Sequence, residues 1–330
     1  MKSVYYNGKV ITLERDDCSA FAVEDGKFTK VGSDEELLAE ESINETVNLE
    51  GKTVLPAFFE THMHILSLGM LLKDINHNDC DSIGNLIEIS REYIEKNHIP
   101  AGKWVRGRGW NHDKFKDEAR FITRYDLDKI STEHPMCFVR TCGHVIVTNS
   151  KGLELIGMSE SAPEIEGGQI DLDENGRPLG IFRERARACI LDAIPEKETE
   201  EIKELILLAQ EEALAHGIVE IHSDDFKDVP TNYKKVIQSY RELIDEGKLK
   251  IRVYEQCNLP AVEKIQDFLD NGYHTGWNMG NGLFTLGPLK LLSDGALGAG
   301  TAYLNEPYSD VPDQRGMLLF ETDELKAMVK

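Results

Sequence analysis

The stretch PAFFETHMHILSLG, from Pro56 to Gly69, decides how the rest of the chain is read. It sets two histidines, His62 and His64, one residue apart directly after an apolar run. Alternate residues of a strand face the same way, so the two imidazoles share a face. On these residues alone two readings stay open. They are either a pair of histidines sharing a polar pocket or two ligands of a divalent metal, which imidazole nitrogens bind well.

Downstream of that stretch the chain alternates helix with strand. HGIVEIHSDD (216–225) follows the amphipathic EKETEEIKELILLAQEEALA (196–215). KLKIRVYEQCN (248–258) follows NYKKVIQSYRELIDEG (232–247), and LFTLGPLKLLSDG (283–295) follows AVEKIQDFLDNG (261–272). Such alternation implies βαβ units and a parallel sheet. Polar residues gather at the strand ends: His62 and His64, then His222 with Asp224 and Asp225, then Glu255, then Lys290 and Asp294. A (β/α) barrel keeps its chemistry at the C-terminal ends of its strands. The expected fold is therefore α/β, a TIM-like (β/α) barrel over residues 54–330, with about four strands before Lys330.

Upstream, VYYNGKVITL, AFAVEDGKFTKVG and ETVNLEGKTVLP each carry a glycine turn within half-alternating apolar residues. That pattern predicts hairpins in a small β-sandwich-like domain over residues 1–53. Between the first and second barrel strands the alternation breaks. Residues 97–195, roughly, are expected to form an inserted subdomain of short strands and loops with one helix.

Composition narrows the function. The chain has 330 residues, of which 41% are hydrophobic, and a formal net charge of −22. That charge repels phosphate backbones and anionic lipid, so nucleic acid and membrane surfaces are poor partners. No apolar run approaches the roughly 18 residues that span a bilayer. The six cysteines show no regular spacing. The opening MKSVYYNGKVITLE also lacks the apolar core of a signal peptide. Free thiols in a reducing cytoplasm are the expectation.

GKTVLPAFFETHMHI (51–65) resembles the first-strand motif of the amidohydrolase superfamily, Pro-Gly-Phe-(Ile/Val)-Asp-x-His-x-His, with Ala57 and Glu60 departing from the commonest residues. NGKVITL and AVEDGKFTKVG resemble the small β domain that precedes the barrel in many members. GHVIVTNSKGLELIG, GRPLGIFRERA and LKLLSDGALGAGTAYLNEPYSD resemble blocks of the amidohydrolase family 3 branch, which includes the N-substituted formamide deformylases and their YtcJ-like relatives. Gly300 stands where an arginine is common. The resemblance covers nearly the whole chain.

The resemblance implies a divalent metal, zinc, as one or two ions held by His62, His64 and a carboxylated Lys290. Lys290 has its own argument, because an unpaired ammonium inside an apolar strand is costly. A neutral lysine amine attacks carbon dioxide, and the carbamate formed offers two oxygens able to bridge metals. A plain hydrogen-bonding role for Lys290 also stays open. Substrate binding is assigned to Trp110, His144, Glu184, His222 and Asp294. Simpler roles compete at several of these: packing for Trp110, a helix-end charge for Glu184, and a turn aspartate at Asp294 before Gly295. Cys257 reads as a buried apolar thiol.

In the superfamily two further histidines come from the fifth and sixth strands and the general-base aspartate from the eighth. The catalytic aspartate is therefore expected beyond residue 330, and the chain is expected to be part of a longer enzyme. A half-barrel that dimerises to close the ring is the other way to cover its open edge. The implied activity is hydrolysis of amide-type C–N bonds, of the N-formyl or N-acyl amine class, by metal-activated water. Two alternatives remain: a non-catalytic binding or assembly module, and a deaminase or cyclic-amide hydrolase on the same fold.

Overall fold

The computed structural model describes residues 1–330 except 16, 227–230, 296, 298–300, 310–312 and 330. Gly300 and Lys330, both singled out above, lie outside the described residues. Two units emerge: Met1–Glu60 with Ala213–Glu220, and Thr61–Glu212 with Ile221–Lys330.

In the first unit four strands pair in the order Lys27–Gly32, Ala20–Glu24, Lys2–Tyr6, Glu45–Asn48. The DGK turn works as its sequence predicts. Asp25 and Gly26 both take positive φ, 49° and 76°, the conformation that a two-residue hairpin needs. The NGK and EGK turns do something else. Lys2–Tyr6 runs parallel to Glu45–Asn48, and after both chains bend, Lys9–Val10 runs parallel to Thr53–Val54 in a separate small sheet. The same two segments thus pair twice across a kink. Gly8 sits in that kink, and a Cβ there would come within 2.5 Å of Leu49 Cδ1. Val4, Ala20, Ala22 and Leu37 form the core beneath.

The second unit contains a six-stranded sheet ordered Gly168–Leu172, Pro178–Glu184, Val145–Val147, Met136–Arg140, Val105–Trp110, Ile75–Asn76. Its apolar runs divide residue by residue between two cores. Met136, Phe138, Val145 and Val147 face one cluster, while Cys137 and Ile146 face the other. Period-two alternation with both faces buried is why MCFV and VIV read as unbroken hydrophobic runs.

A five-stranded sheet is ordered Asn278–Met279, Phe284–Lys290, Arg252–Asn258, Ile218–Ser223, Phe58–Met63. Phe284–Lys290 and Arg252–Asn258 are parallel and bring Lys290 opposite Asn258. Helices Thr199–Ala215, Tyr233–Asp245 and Val262–Asp270 alternate with these strands. The helix Tyr233–Asp245 starts at Asn232, whose side chain accepts from Lys235 N. It buries Val236, Ile237, Tyr240 and Leu243, and the Tyr240 ring stacks on Phe284 at 4.4 Å. Among the described residues the strands form a sheet with edges at Asn278–Met279 and Phe58–Met63.

Candidate metal centre

His62 and His64 sit at the end of strand Phe58–Met63, where it turns into helix Ile65–Lys73. His64 occupies the N-cap position but its side chain does not cap the helix. The first free amides are taken by the neighbouring strand end instead. Ser223 Oγ accepts from Ile65 N at 2.9 Å, and Asp225 Oδ1 accepts from Leu66 N at 3.0 Å. A helix start leaves such donors unsatisfied, so the serine and aspartate tie two strand ends together. Asp225 is in turn held by Ser223 Oγ at 2.8 Å and Tyr240 Oη at 3.3 Å.

Asp224 is the hub. Its main-chain carbonyl lies 2.9 Å from His64 Nδ1. Its Oδ2 pairs with Lys290 Nζ at 3.0 Å and accepts from Asn258 Nδ2 at 3.1 Å. Lys290 Nζ also stands 3.4 Å from His62 Nε2. The two imidazole rings are 6.0 Å apart, centre to centre. Thus His62, His64 and Lys290, from strands separated by more than two hundred residues, meet around one buried aspartate.

A second buried carboxyl backs this arrangement. Glu255 is fully buried, and its Oε1 accepts from Asp225 N at 2.7 Å. Burial pushes its carboxyl well above the usual range, and the charges of Asp225 and Asp224 push the same way. Burial also raises the Cys257 thiol, reinforced by Glu255, which keeps it from acting as a thiolate. Asp224 Oδ1 and Glu255 Oε2 are buried without hydrogen-bond partners among the described residues.

Do these residues suit a metal? The bond from His64 Nδ1 to a carbonyl places that ring's proton on Nδ1 and its lone pair on Nε2, the usual arrangement for a metal-ligating histidine. Two imidazoles suit zinc, which normally takes four ligands in structural sites, while Lys290, paired with Asp224, could join them only after losing its proton. No group of three His, Cys, Asp or Glu side chains able to hold a metal occurs among the described residues. The set fits as part of a site.

The other candidates lie elsewhere or are occupied. Trp110 is fully buried in the core of the six-stranded sheet, with its Nε1 donating to the Phe138 carbonyl at 3.2 Å. His144 Nδ1 and Glu184 Oε2 pair with each other at 3.0 Å, with both side chains more than half exposed. Asp294 organises its own loop, accepting from Tyr303 N at 2.9 Å and from Ser293 Oγ at 3.1 Å. His222 lies half-buried with its ring 4.9 Å from Tyr254. The sequence reading assigned no role to Asp224, Asp225, Glu255 or Asn258. The double aspartate SDD at a strand end was the available signal.

The profile described as the amidohydrolase family matches residues 45–330. A putative amidohydrolase, YtcJ, of Bacillus subtilis is 28% identical over all of this chain and 61% of its own length. An N-substituted formamide deformylase of Arthrobacter pascens is 30% identical over 64% of this chain and 40% of its own length. The crystal structure of an uncharacterized metal-dependent hydrolase from Pyrococcus horikoshii superimposes on all of this chain and 62% of its own, with a TM-score of 0.77 at 29% identity. The chain thus spans about three-fifths of the Bacillus and Pyrococcus proteins that it matches along its full length.

Proposed function

The chain belongs to the amidohydrolase family, and from that premise we propose that it carries part of the active site of a metal-dependent hydrolase of N-formyl or N-acyl amines. The observation that supports this most is the meeting of Lys290 Nζ, His62 Nε2 and the Asp224-anchored His64 at adjacent strand ends. His62, His64 and Lys290 would hold a divalent cation, zinc, as one or two ions. Bound there, it would supply an activated water and a polarised carbonyl.

The chain's own residues do the positioning. Asp224 fixes the tautomer of His64 through its carbonyl and steers the Lys290 side chain through its carboxylate. An ammonium paired with Asp224 has no lone pair for carbon dioxide. Carboxylation of Lys290 therefore requires its proton to leave first, and the resulting anion must be balanced by positive charge. The remaining ligands and the general-base aspartate would lie on strands that follow residue 330, on a barrel of eight. Support for this comes from the partial coverage of the relatives and from a donor set of three.

The test is metal binding and amide hydrolysis side by side. The chain by itself is expected to bind zinc weakly and to hydrolyse N-formyl amines at background rate, because ligand support alone is commonly worth about 10–100-fold in affinity and a general base about 10²–10⁴-fold in rate. A form extended through the eighth strand is expected to recover both and to lose both on His62→Ala or His64→Ala. Tight zinc binding that survives both substitutions would sink the proposal.

A further inference from the structure

Away from the strand-end cluster, the second unit contains a cavity of about 840 Å³. That volume is within the range of small-molecule sites. One wall is the helix Thr199–Ala215, which contributes Leu208. Leu72 and Asp74 at the end of helix Ile65–Lys73 form another. Trp104 and Arg106, at the start of strand Val105–Trp110, form a third. Leu72 and Leu208 are 44% and 38% exposed, unusual for leucines that line a concave surface.

Charge inside the cavity does not close on itself. Arg106 reaches Asp74 only through Nε, at 3.3 and 3.4 Å, so among the described residues its two Nη nitrogens have no acceptor. Lys197 lines the same space and makes no hydrogen bond or ion pair with a described residue. It stands just before the positive end of a 17-residue helix, where a cation is unfavourable. Burial holds its ammonium below the usual lysine range; Glu201 opposes this, and the charges of Arg106 and Lys73 add to it. Burial likewise raises the Asp74 carboxyl, and the charge of Arg106 opposes this. A half-buried ammonium and the unused donors of a guanidinium therefore line one cavity beside a bare apolar wall.

We propose that this cavity binds a small organic monocarboxylate with an apolar body, its carboxylate between Lys197 Nζ and the Nη nitrogens of Arg106. The body lies against Leu72, Trp104 and Leu208. Glu201, Glu204 and Glu211 also line the space and select against dianions such as phosphate esters. The site is independent of the metal centre and of the reading given to it.

Calorimetric titration of 4-phenylbutyrate into the chain near pH 7 tests this, with the neutral 4-phenylbutyramide as its partner. Saturable one-site binding of the carboxylate is expected, with the amide about tenfold weaker or worse, since hydrogen bonds to charged groups are worth that much. Lys197→Met and Leu208→Glu are each expected to weaken the carboxylate about tenfold. The Leu208 change, at an exposed helix position, serves if the lysine variant loses its circular-dichroism signature. His62→Ala should leave the affinity unchanged. Equal binding of acid and amide, no saturable heat, full affinity in either cavity variant, or loss in His62→Ala would overturn the proposal.

Discussion

The six-stranded sheet and the five-stranded sheet treat their polar side chains differently. In the six-stranded sheet a buried polar group is neutralised and absorbed into packing. His77 is fully buried, its Nε2 lies 3.0 Å from Ser90 Oγ, and burial drops its pKa to about 3. Trp110 spends its one donor on a backbone carbonyl. In the other sheet the strand ends bury Asp224, Asp225 and Glu255 together and draw Lys290 to them. Buried carboxylates grouped this closely are costly, and that cost is tolerated most readily at functional sites. The contrast teaches that burial by itself says nothing of role. Nor does an unsatisfied atom, since among the described residues His77 Nδ1 is as partnerless as Asp224 Oδ1 and Glu255 Oε2; what sets the second sheet apart is that several charged groups gather at one place.

Truncation should separate the two sheets most strongly. Trp110→Ala is expected to destabilise the chain by about 3–5 kcal/mol, as large core truncations do. His62→Ala, at an exposed position, should change stability by less than about 0.5 kcal/mol. Urea unfolding of both variants checks this, and comparable losses would break the distinction.

Asp225→Ala comes next. It removes the acceptor for Leu66 N, Ser223 Oγ and Tyr240 Oη, so a loss of about 2 kcal/mol is expected from the buried donors left behind. The removed negative charge also relieves Glu255 and partly offsets that loss. Stability unchanged in this variant would mean that the strand ends are not tied as described.

Acidity gives a handle of opposite sign on each sheet. His77 has its folded pKa below the ordinary value of 6.5, so its contribution is present above pH 6.5 and is lost as pH falls toward about 3. Glu255 has its folded pKa raised above the ordinary 4.5, so its contribution is present below pH 4.5 and is lost as pH rises. Each slope is about 1.4 kcal/mol per pH unit within its window. Compared with the parent chain, His77→Gln should therefore gain in relative stability on acidification from pH 6.5, and Glu255→Gln on moving up from pH 4.5. Parallel profiles for parent and variants would refute both assignments.

The smallest effect is expected at the exposed His144–Glu184 pair. His144→Ala should cost no more than about 0.5 kcal/mol, since exposed ion pairs contribute little. A larger loss in thermal unfolding would give the pair a structural role that its exposure does not indicate.

The helices and strands of the βαβ region were legible because each is a local matter. Asn232 caps its helix through its own Asx side chain, the i, i+4 and i+7 spacing of Val236, Tyr240 and Leu243 makes one apolar face, and Asp25–Gly26 can take positive φ anywhere. The His62–His64 pair was legible for the same reason: strand geometry alone puts alternate residues on one face. Other features depend on which strand lies beside which. The NGK and EGK turns look like hairpins locally, yet the pairing of Lys2–Tyr6 with Glu45–Asn48 carries both chains on into a second parallel contact. Trp110 sits in a polar neighbourhood of sequence and in an apolar neighbourhood of space. Asp224 reads as one of two acidic residues after a strand. Its carbonyl on His64 and its carboxylate on Lys290 exist only because three strand ends, from distant parts of the chain, converge on the same few ångströms.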